Sequence, residues 1–522
     1  MSELPVSTTE AGARPAASPQ ISPPAWRPVL AVAGLAGVAL LVTSGRYGYW
    51  GDELYYLAAG RHPDWGYADQ PPLVPLIARA MDELFAGSLV GFRLPALLMT
   101  VAGVVVAALT ARELGGGRRA QLVTAGAYAT APFLLGQGHL LSTNTVDFLF
   151  WAVGLLLLVR WVRVRDDRLL LALGVVTAVA LQAKLLIPVL WIAVAAAAVV
   201  LGPRELLRRP MLWLAAAIAG VSAVPTVLWQ AANGWPQFEV AEATGAEVAS
   251  TYAGALGFVP LALFVSGLPV GAPLLCYGLW RLLRSPRLRP YRFLGVAVLA
   301  TTAFFVVTGG RYYYVVGMFA LCWAAGATEI EHAIERGAGR VWRRATGRVA
   351  FGVAAVVVVL TTLPVLPVSW IGRVPGLGSP FAAEEIGWPQ LADTVTAAYR
   401  ELPVEQQSTT VVITETYRQA GAVERFAPPE MRPAYSGSRG YWFLAMPPAG
   451  TTTVLFVGGD PPMLARWFGS VRQVGTVDNG LGIRNVNQGA PVWLCTEPRA
   501  PLPDMWPDFL QYEVRFNTFQ ES

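Results

Sequence analysis

The feature that most constrains this 522-residue chain is a succession of eleven apolar runs. They fall near 27–44, 89–111, 120–138, 145–160, 169–183, 185–201, 211–230, 256–280, 293–309, 312–330 and 349–371. A helix needs roughly 20 apolar residues to cross a bilayer. Inside lipid, a segment must satisfy its own backbone polar groups, which restricts such runs to helices. Only 14% of residues are charged and 54% are hydrophobic, whereas soluble domains carry about 25% charged residues. The expected fold class is therefore a polytopic α-helical membrane protein of about 11 transmembrane helices with a small exported C-terminal α/β domain. The stretch Leu169–Leu201 would be about 50 Å long as one helix, against a core of roughly 30 Å. Two short helices meeting near Lys184 are expected instead.

Arginine placement orients the bundle. Five clusters lie between the apolar runs: Arg112–Arg119, Arg160–Arg168, Arg204–Arg209, Arg281–Arg292 and Arg336–Arg348. With eleven spans and a cytoplasmic N-terminus, all five fall on the cytoplasmic side, as the positive-inside rule asks. Basic residues placed this way orient a membrane protein and exclude a nucleic-acid partner. Residues 1–26, rich in Pro, Ala and Ser, read as a disordered cytoplasmic tail. Residues 27–372 form the transmembrane part, with a first exported loop at 45–88, and 373–522 form the exported domain. In that last part Leu391–Leu402 reads as a helix, Thr410–Thr414 and Thr452–Val457 as strands, and Pro462–Phe468 as the start of another helix. It carries no catalytic signature. The location expected is the plasma membrane.

The three cysteines and three histidines are scattered, so neither a disulfide framework nor a zinc site is expected. Polar chemistry concentrates in the first loop. Asp52 and Glu53 sit among aromatics, and Tyr55 and Tyr56 follow at i+3 and i+4 from Asp52, on the same face of a helix. An exported carboxylate walled by aromatics suits a general base acting on a hydroxyl; an interfacial acid pair is the bland alternative. Lys184, the only lysine, interrupts an apolar stretch, where an ionisable group marks a functional site by default. A snorkelling role would also account for it. A cation at that depth suits a lipid phosphate. Arg311, in Gly309-Gly310-Arg311-Tyr312-Tyr313-Tyr314, stands on the exported side against the inside bias and calls for an anionic partner. Asn144 and Asp147 open the fourth span, either as site residues or as cap and first-turn acid, with Ser142 or Thr143 as further cap candidates. Trp235 and Pro236 read as loop packing.

Taken in order, Gly51-Asp52-Glu53-Leu54-Tyr55-Tyr56, Gly66-Tyr67-Ala68-Asp69-Gln70-Pro71-Pro72-Leu73, Trp229-Gln230 with Asn233-Gly234-Trp235-Pro236, the Gly-Gly-Arg-Tyr-Tyr-Tyr run and Ile386-Gly387-Trp388-Pro389 form a pattern. It resembles the protein O-mannosyltransferase-like family of membrane glycosyltransferases, which includes the aminoarabinose transferases of lipid A. The resemblance implies a GT-C fold with its active site between the first exported loop and the membrane surface, a polyprenyl-phosphate-linked sugar donor, a protein, lipid or glycan hydroxyl as acceptor on the exported side, and an inverting transfer. By position, Asp52 would be the base with Glu53 beside it, and Lys184 and Arg311 would hold the leaving phosphate. Tyr55, Tyr56, Tyr67, Asp69, Gln70, Asn144, Asp147, Tyr312 and Tyr313 would line the sugar site. The chain departs from many relatives at Gln70, where they have histidine, and at Arg311, where they have lysine. Asp52, Glu53 and Asp69 could make an oxygen-ligand site, but without His or Cys support no metal and no other cofactor is expected, and none is required if Lys184 and Arg311 neutralise the leaving group. A secondary transporter using Lys184 and Asp147, and a non-catalytic envelope scaffold, are the competing classes.

Overall fold

A computed structural model describes residues 21–371, 373, 379 and 381–513. Most of the expected tail, residues 1–20, lies outside the described residues. Each apolar run contains α-helix, the last one only as far as Thr362. Among the described residues, six helices are long and apolar enough to cross a membrane: Trp26–Thr43, Leu89–Glu113, Thr143–Val164, Pro210–Ala232, Arg289–Val307 and Tyr312–Glu335, the last two with a 3₁₀ first turn or turns. The remaining runs are shorter or broken. Residues 120–138 form two helices, Arg118–Ala129 and Pro132–His139, and 256–280 likewise divide into Gly254–Val265 and Gly271–Arg284. The expected break near Lys184 lies between Arg168–Leu181 and Ile187–Leu201. The loop at Asn233 is short, and a helix follows it, Pro236–Thr251, bent by 80° from Gly254–Val265. Its first-turn proline preorganises the start, and its three glutamates kept it out of the apolar count. The protein is thus a multi-pass membrane protein.

Helices meet where small residues let backbones approach, as membrane packing favours. A Cβ on Gly278 would fall 1.8 Å from the Cys322 carbonyl oxygen, so Gly271–Arg284 and Phe319–Glu335 touch backbone to backbone there. The arginine clusters converge at one end of the bundle. Arg163 pairs with Glu113, Arg165 with Glu205, Arg209 with Asp167, and Arg119 donates to Thr346. Arg93 lies at the other end of Leu89–Glu113, roughly 28 Å from Arg112 along the helix axis.

The C-terminal region holds one five-stranded sheet in the order β2-β1-β3-β5-β4. Its strands are β1 Thr410–Thr414, β2 Ala434–Ser436, β3 Thr453–Val457, β4 Phe468–Thr476 and β5 Pro491–Pro498. β1 runs parallel to β2 and β3, whereas β5 is antiparallel to β3 and β4. Alternate residues face opposite ways. Ile413, Val454, Phe456 and Cys495 pack with Trp506 and Phe509 on one side. On the other, Val412, Leu455 and Leu494 join helices Trp388–Arg400 and Tyr417–Phe426. That second cluster continues into Leu54, Tyr55, Tyr56 and Leu57 of the loop helix Gly51–Arg61. The first loop and the C-terminal sheet therefore share one hydrophobic core.

Candidate active site

A large cavity of about 1890 Å³ opens between the helix bundle and the sheet region. Asp52, Tyr55, Tyr56, Asp69, Gln70, Asn144, Lys184, Arg311, Tyr312 and Tyr313 all line it. Helix Gly51–Arg61 supplies the first three from one face, as their spacing requires. The broken helix supplies Lys184, whose ammonium donates to Asn144 Oδ1 and lies 4.9 Å from the centre of the Tyr314 ring. Arg311 donates to the Tyr313 hydroxyl at 2.7 Å and pairs with Glu247 at 2.6 Å. Tyr313 in turn stacks on Phe133 at 4.8 Å.

Three expected residues do not line the cavity. Glu53 follows Asp52 by about 100° of helix rotation and points into the protein. It accepts from the amides of Trp50 (2.8 Å) and Leu141 (2.9 Å) and takes both arms of Arg93 at 2.8–2.9 Å. Both side chains of this pair are 0% exposed. Tyr67 is buried beneath the loop, its hydroxyl donating to the Ala59 and His62 carbonyls. Asp147 lies beyond the first turn of its helix and accepts from the Trp151 indole at 2.8 Å. Ser142 is the residue that caps that helix, accepting from the Thr145 amide. The Trp229-Gln230 element holds the loop from below. Trp229 donates to Asp64, Thr226 to the Trp65 carbonyl and Gln230 to the Tyr67 carbonyl, each at 2.7–2.8 Å.

The loop acids divide by environment. Asp69 accepts from the Tyr55 hydroxyl at 2.8 Å; burial pushes its carboxyl up, against the pull of that hydrogen bond and of Arg439. Gln70 is buried, and neither its amide nitrogen nor its amide oxygen has a hydrogen-bond partner among the described residues. Unpaired polar atoms in a cavity wall are costly without a ligand.

Several cavity residues were not anticipated from the sequence. The Tyr417 hydroxyl donates to Asp52 Oδ1 at 2.7 Å and Arg418 Nε does so at 3.2 Å. Arg418 also reaches Glu384 at 3.5 Å, and Arg439 reaches Glu247 at 3.6 Å. Burial raises the Glu384 carboxyl, opposed by Arg418. A capping box, Thr416 with Gln419, marks the start of the helix bearing Tyr417 and Arg418 and was readable. Its placement against Asp52 was not. Among the described residues, no group of three or more His, Cys, Asp or Glu side chains is arranged to hold a metal ion.

Residues 69–229 match the family model described as dolichyl-phosphate-mannose-protein mannosyltransferase. Two crystal structures of ArnT from Cupriavidus metallidurans superpose over 89% of this chain and 97% of theirs. The undecaprenyl-phosphate complex does so with a TM-score of 0.57 and 18% identity, and the apo form with 0.59 and 16%. Comparison with curated protein sequences finds no match. The fold is the GT-C fold of membrane glycosyltransferases, as the sequence resemblance implied. The family match points to the same class of protein, the membrane glycosyltransferases.

Proposed function

We propose that this protein transfers a sugar from a polyprenyl-phosphate-linked donor to a hydroxyl of a protein, lipid or glycan acceptor. The observation that carries the reading is one cavity lined by a partly exposed carboxylate, Asp52, and by two cations, Lys184 and Arg311. One of the two ArnT structures is bound to undecaprenyl phosphate, which supports a donor of this class. Asp52 removes the acceptor proton as the acceptor oxygen attacks the anomeric carbon from the face opposite the phosphate. The bond from that carbon to the phosphate oxygen breaks, configuration inverts, and polyprenyl phosphate departs with the electron pair. Lys184 and Arg311 stabilise the charge that gathers on it, where fixed cations in a dry site act most strongly. Tyr55, Tyr56, Asp69, Gln70, Tyr312 and Tyr313 form the sugar wall, and the unpaired amide of Gln70 supplies both a donor and an acceptor to sugar hydroxyls.

The converged arginine clusters support the orientation. With them on the cytoplasmic side, the cavity and the region after 372 face the exported side, and the N-terminus lies inside. The test uses protein in lipid nanodiscs with radiolabelled polyprenyl-phosphate mannose, the donor type named by the matching family, extended to other sugars and to a membrane extract as acceptor. Wild type should release label from the lipid. Asp52→Asn should bind donor normally and release it about 10²–10⁴-fold more slowly, the usual contribution of a general base. Equal rates in the two proteins would remove Asp52 from the role of base.

A further inference from the structure

We propose that Tyr417 and Arg418, on the C-terminal helix Tyr417–Phe426, are positioning residues for Asp52. The C-terminal region would then complete the catalytic centre, beyond any covering of it. The inference rests on the reading of Asp52 as the base. Two side chains donate to the same oxygen of Asp52, Oδ1: the Tyr417 hydroxyl at 2.7 Å and Arg418 Nε at 3.2 Å. A carboxylate with two donors on one oxygen cannot rotate freely about its Cβ–Cγ bond, so the plane of the group is set and Oδ2 becomes the atom presented to the cavity. The Asp52 side chain is 21% exposed while Arg418 is 8% exposed, which is the order expected of a reacting group and its support.

The support is itself held. Arg418 Nε lies 3.2 Å from the Tyr417 oxygen, its guanidinium carbon lies 5.3 Å from the centre of the Tyr417 ring, and its other arm reaches Glu384 at 3.5 Å. Glu384 thus shares the charge that Asp52 would otherwise face alone. Two glycines let the supporting helix come this close. A Cβ on Gly421 would fall 2.8 Å from the Leu54 carbonyl carbon, and one on Gly51 would fall 2.5 Å from Arg418 Cδ. The two helices therefore meet at the Leu54 backbone, two residues from Asp52, and the Arg418 stem lies directly over Gly51. Local packing alone would not require a glycine on both partners together with two side-chain donors aimed at one carboxylate oxygen. Misplacement of a reacting group by about 1 Å can cost roughly a hundredfold in rate, which sets the size of the effect.

The experiment uses the full chain in nanodiscs with radiolabelled polyprenyl-phosphate mannose and, in parallel, the other donors of the panel. It compares Tyr417→Phe, Arg418→Gln, Asp52→Asn and the two double variants containing Asp52→Asn. Tyr417→Phe and Arg418→Gln should each lower kcat about 10- to 100-fold with donor Kd within about twofold of wild type. In the Asp52→Asn background neither should slow the residual rate further, because both act through the missing carboxylate. A merely structural role would produce the same fold-loss in both backgrounds and would overturn the proposal, as would wild-type kcat in both single variants. Tyr417→Phe removes one oxygen without changing shape, so it decides the question if Arg418→Gln does not fold. A fully active Asp52→Asn protein would overturn the base assignment itself. An inert Asp52→Asn protein beside fully active Tyr417→Phe and Arg418→Gln would overturn only the positioning.

Discussion

Arg93→Met should be among the most damaging substitutions in the protein although Arg93 touches no part of the cavity. The guanidinium is 0% exposed and makes two hydrogen bonds to Glu53, at 2.9 and 2.8 Å. It also donates to the carbonyls of Ser44 (3.0 Å) and Gly48 (2.8 Å), lies 3.0 Å from the His139 ring nitrogen, and reaches Glu385 at 3.5 Å. Methionine keeps the aliphatic stem and removes every one of these contacts. What remains is a fully buried Glu53 carboxylate supported only by two backbone amides. Breaking one side of a buried ion pair costs about 3–5 kcal/mol, and at roughly 2 °C per kcal/mol for a larger protein the midpoint should fall by about 6–10 °C. The assay is thermal unfolding of detergent-solubilised protein followed by tryptophan fluorescence. Adding Glu53→Gln removes the stranded charge while an amide oxygen still accepts from one backbone N–H. The double variant should therefore recover part of the loss, with a coupling of about 2–3 kcal/mol. A midpoint for Arg93→Met within about 2 °C of wild type would refute the energetic reading, which requires a penalty above 1 kcal/mol. So would a double variant whose loss equals the sum of the single losses.

Further outcomes follow from neighbouring groups. Burial raises Glu385 to about 8, opposed by Arg93, from an ordinary value of 4.5. Between those values the folded protein keeps a proton that the unfolded chain has released. Its contribution to stability is complete below about pH 4.5 and lost as pH rises through about 8. Glu385→Gln should flatten the fall in midpoint across that window; an unchanged slope would rule Glu385 out as its source. Gln70→Met should raise the midpoint of the ligand-free protein, since two unpaired buried polar atoms are removed. It should also raise KM for the donor, and a KM equal to that of wild type would mean that the amide does not touch the sugar. Lys184→Met should weaken donor binding about 10- to 100-fold, the worth of one charge-assisted hydrogen bond of about 1.5–3 kcal/mol. Titration with labelled donor would show this, and an unchanged Kd would place the phosphate elsewhere.

The sequence made legible what is written locally. A sole lysine breaking an apolar stretch marked the hinge between two short helices. The spacing Asp52, Tyr55, Tyr56 put three side chains on one wall, and β-branched runs marked β1 and β3. Three things escaped. Adjacent residues of a helix point in different directions, so nothing local told Asp52, which meets the cavity, from Glu53, which meets Arg93. The segment after Pro236 fell between two apolar runs because its glutamates depress hydropathy, yet Glu247 on that helix pairs with Arg311. The meeting of Asp52 with Tyr417 spans 365 residues, and the capping box at Thr416 announces a helix without saying what it touches. β4 gave little signal because its exposed and half-buried residues follow no clean alternation.

The partnership between Asp52 and Arg418 also imposes an order in time. A ribosome delivers Asp52 early and Arg418 hundreds of residues later. Until the sheet region has folded and laid its helix on Gly51–Arg61, the nascent chain displays a carboxylate with an unset plane and a wall lacking one side. On the proposed function, donor lipid already in the bilayer would meet Lys184 and Arg311 before it met an oriented Asp52. Maturation of the enzyme would then be a late, single event, and a chain stalled before its sheet was finished would hold its lipid without wasting the sugar.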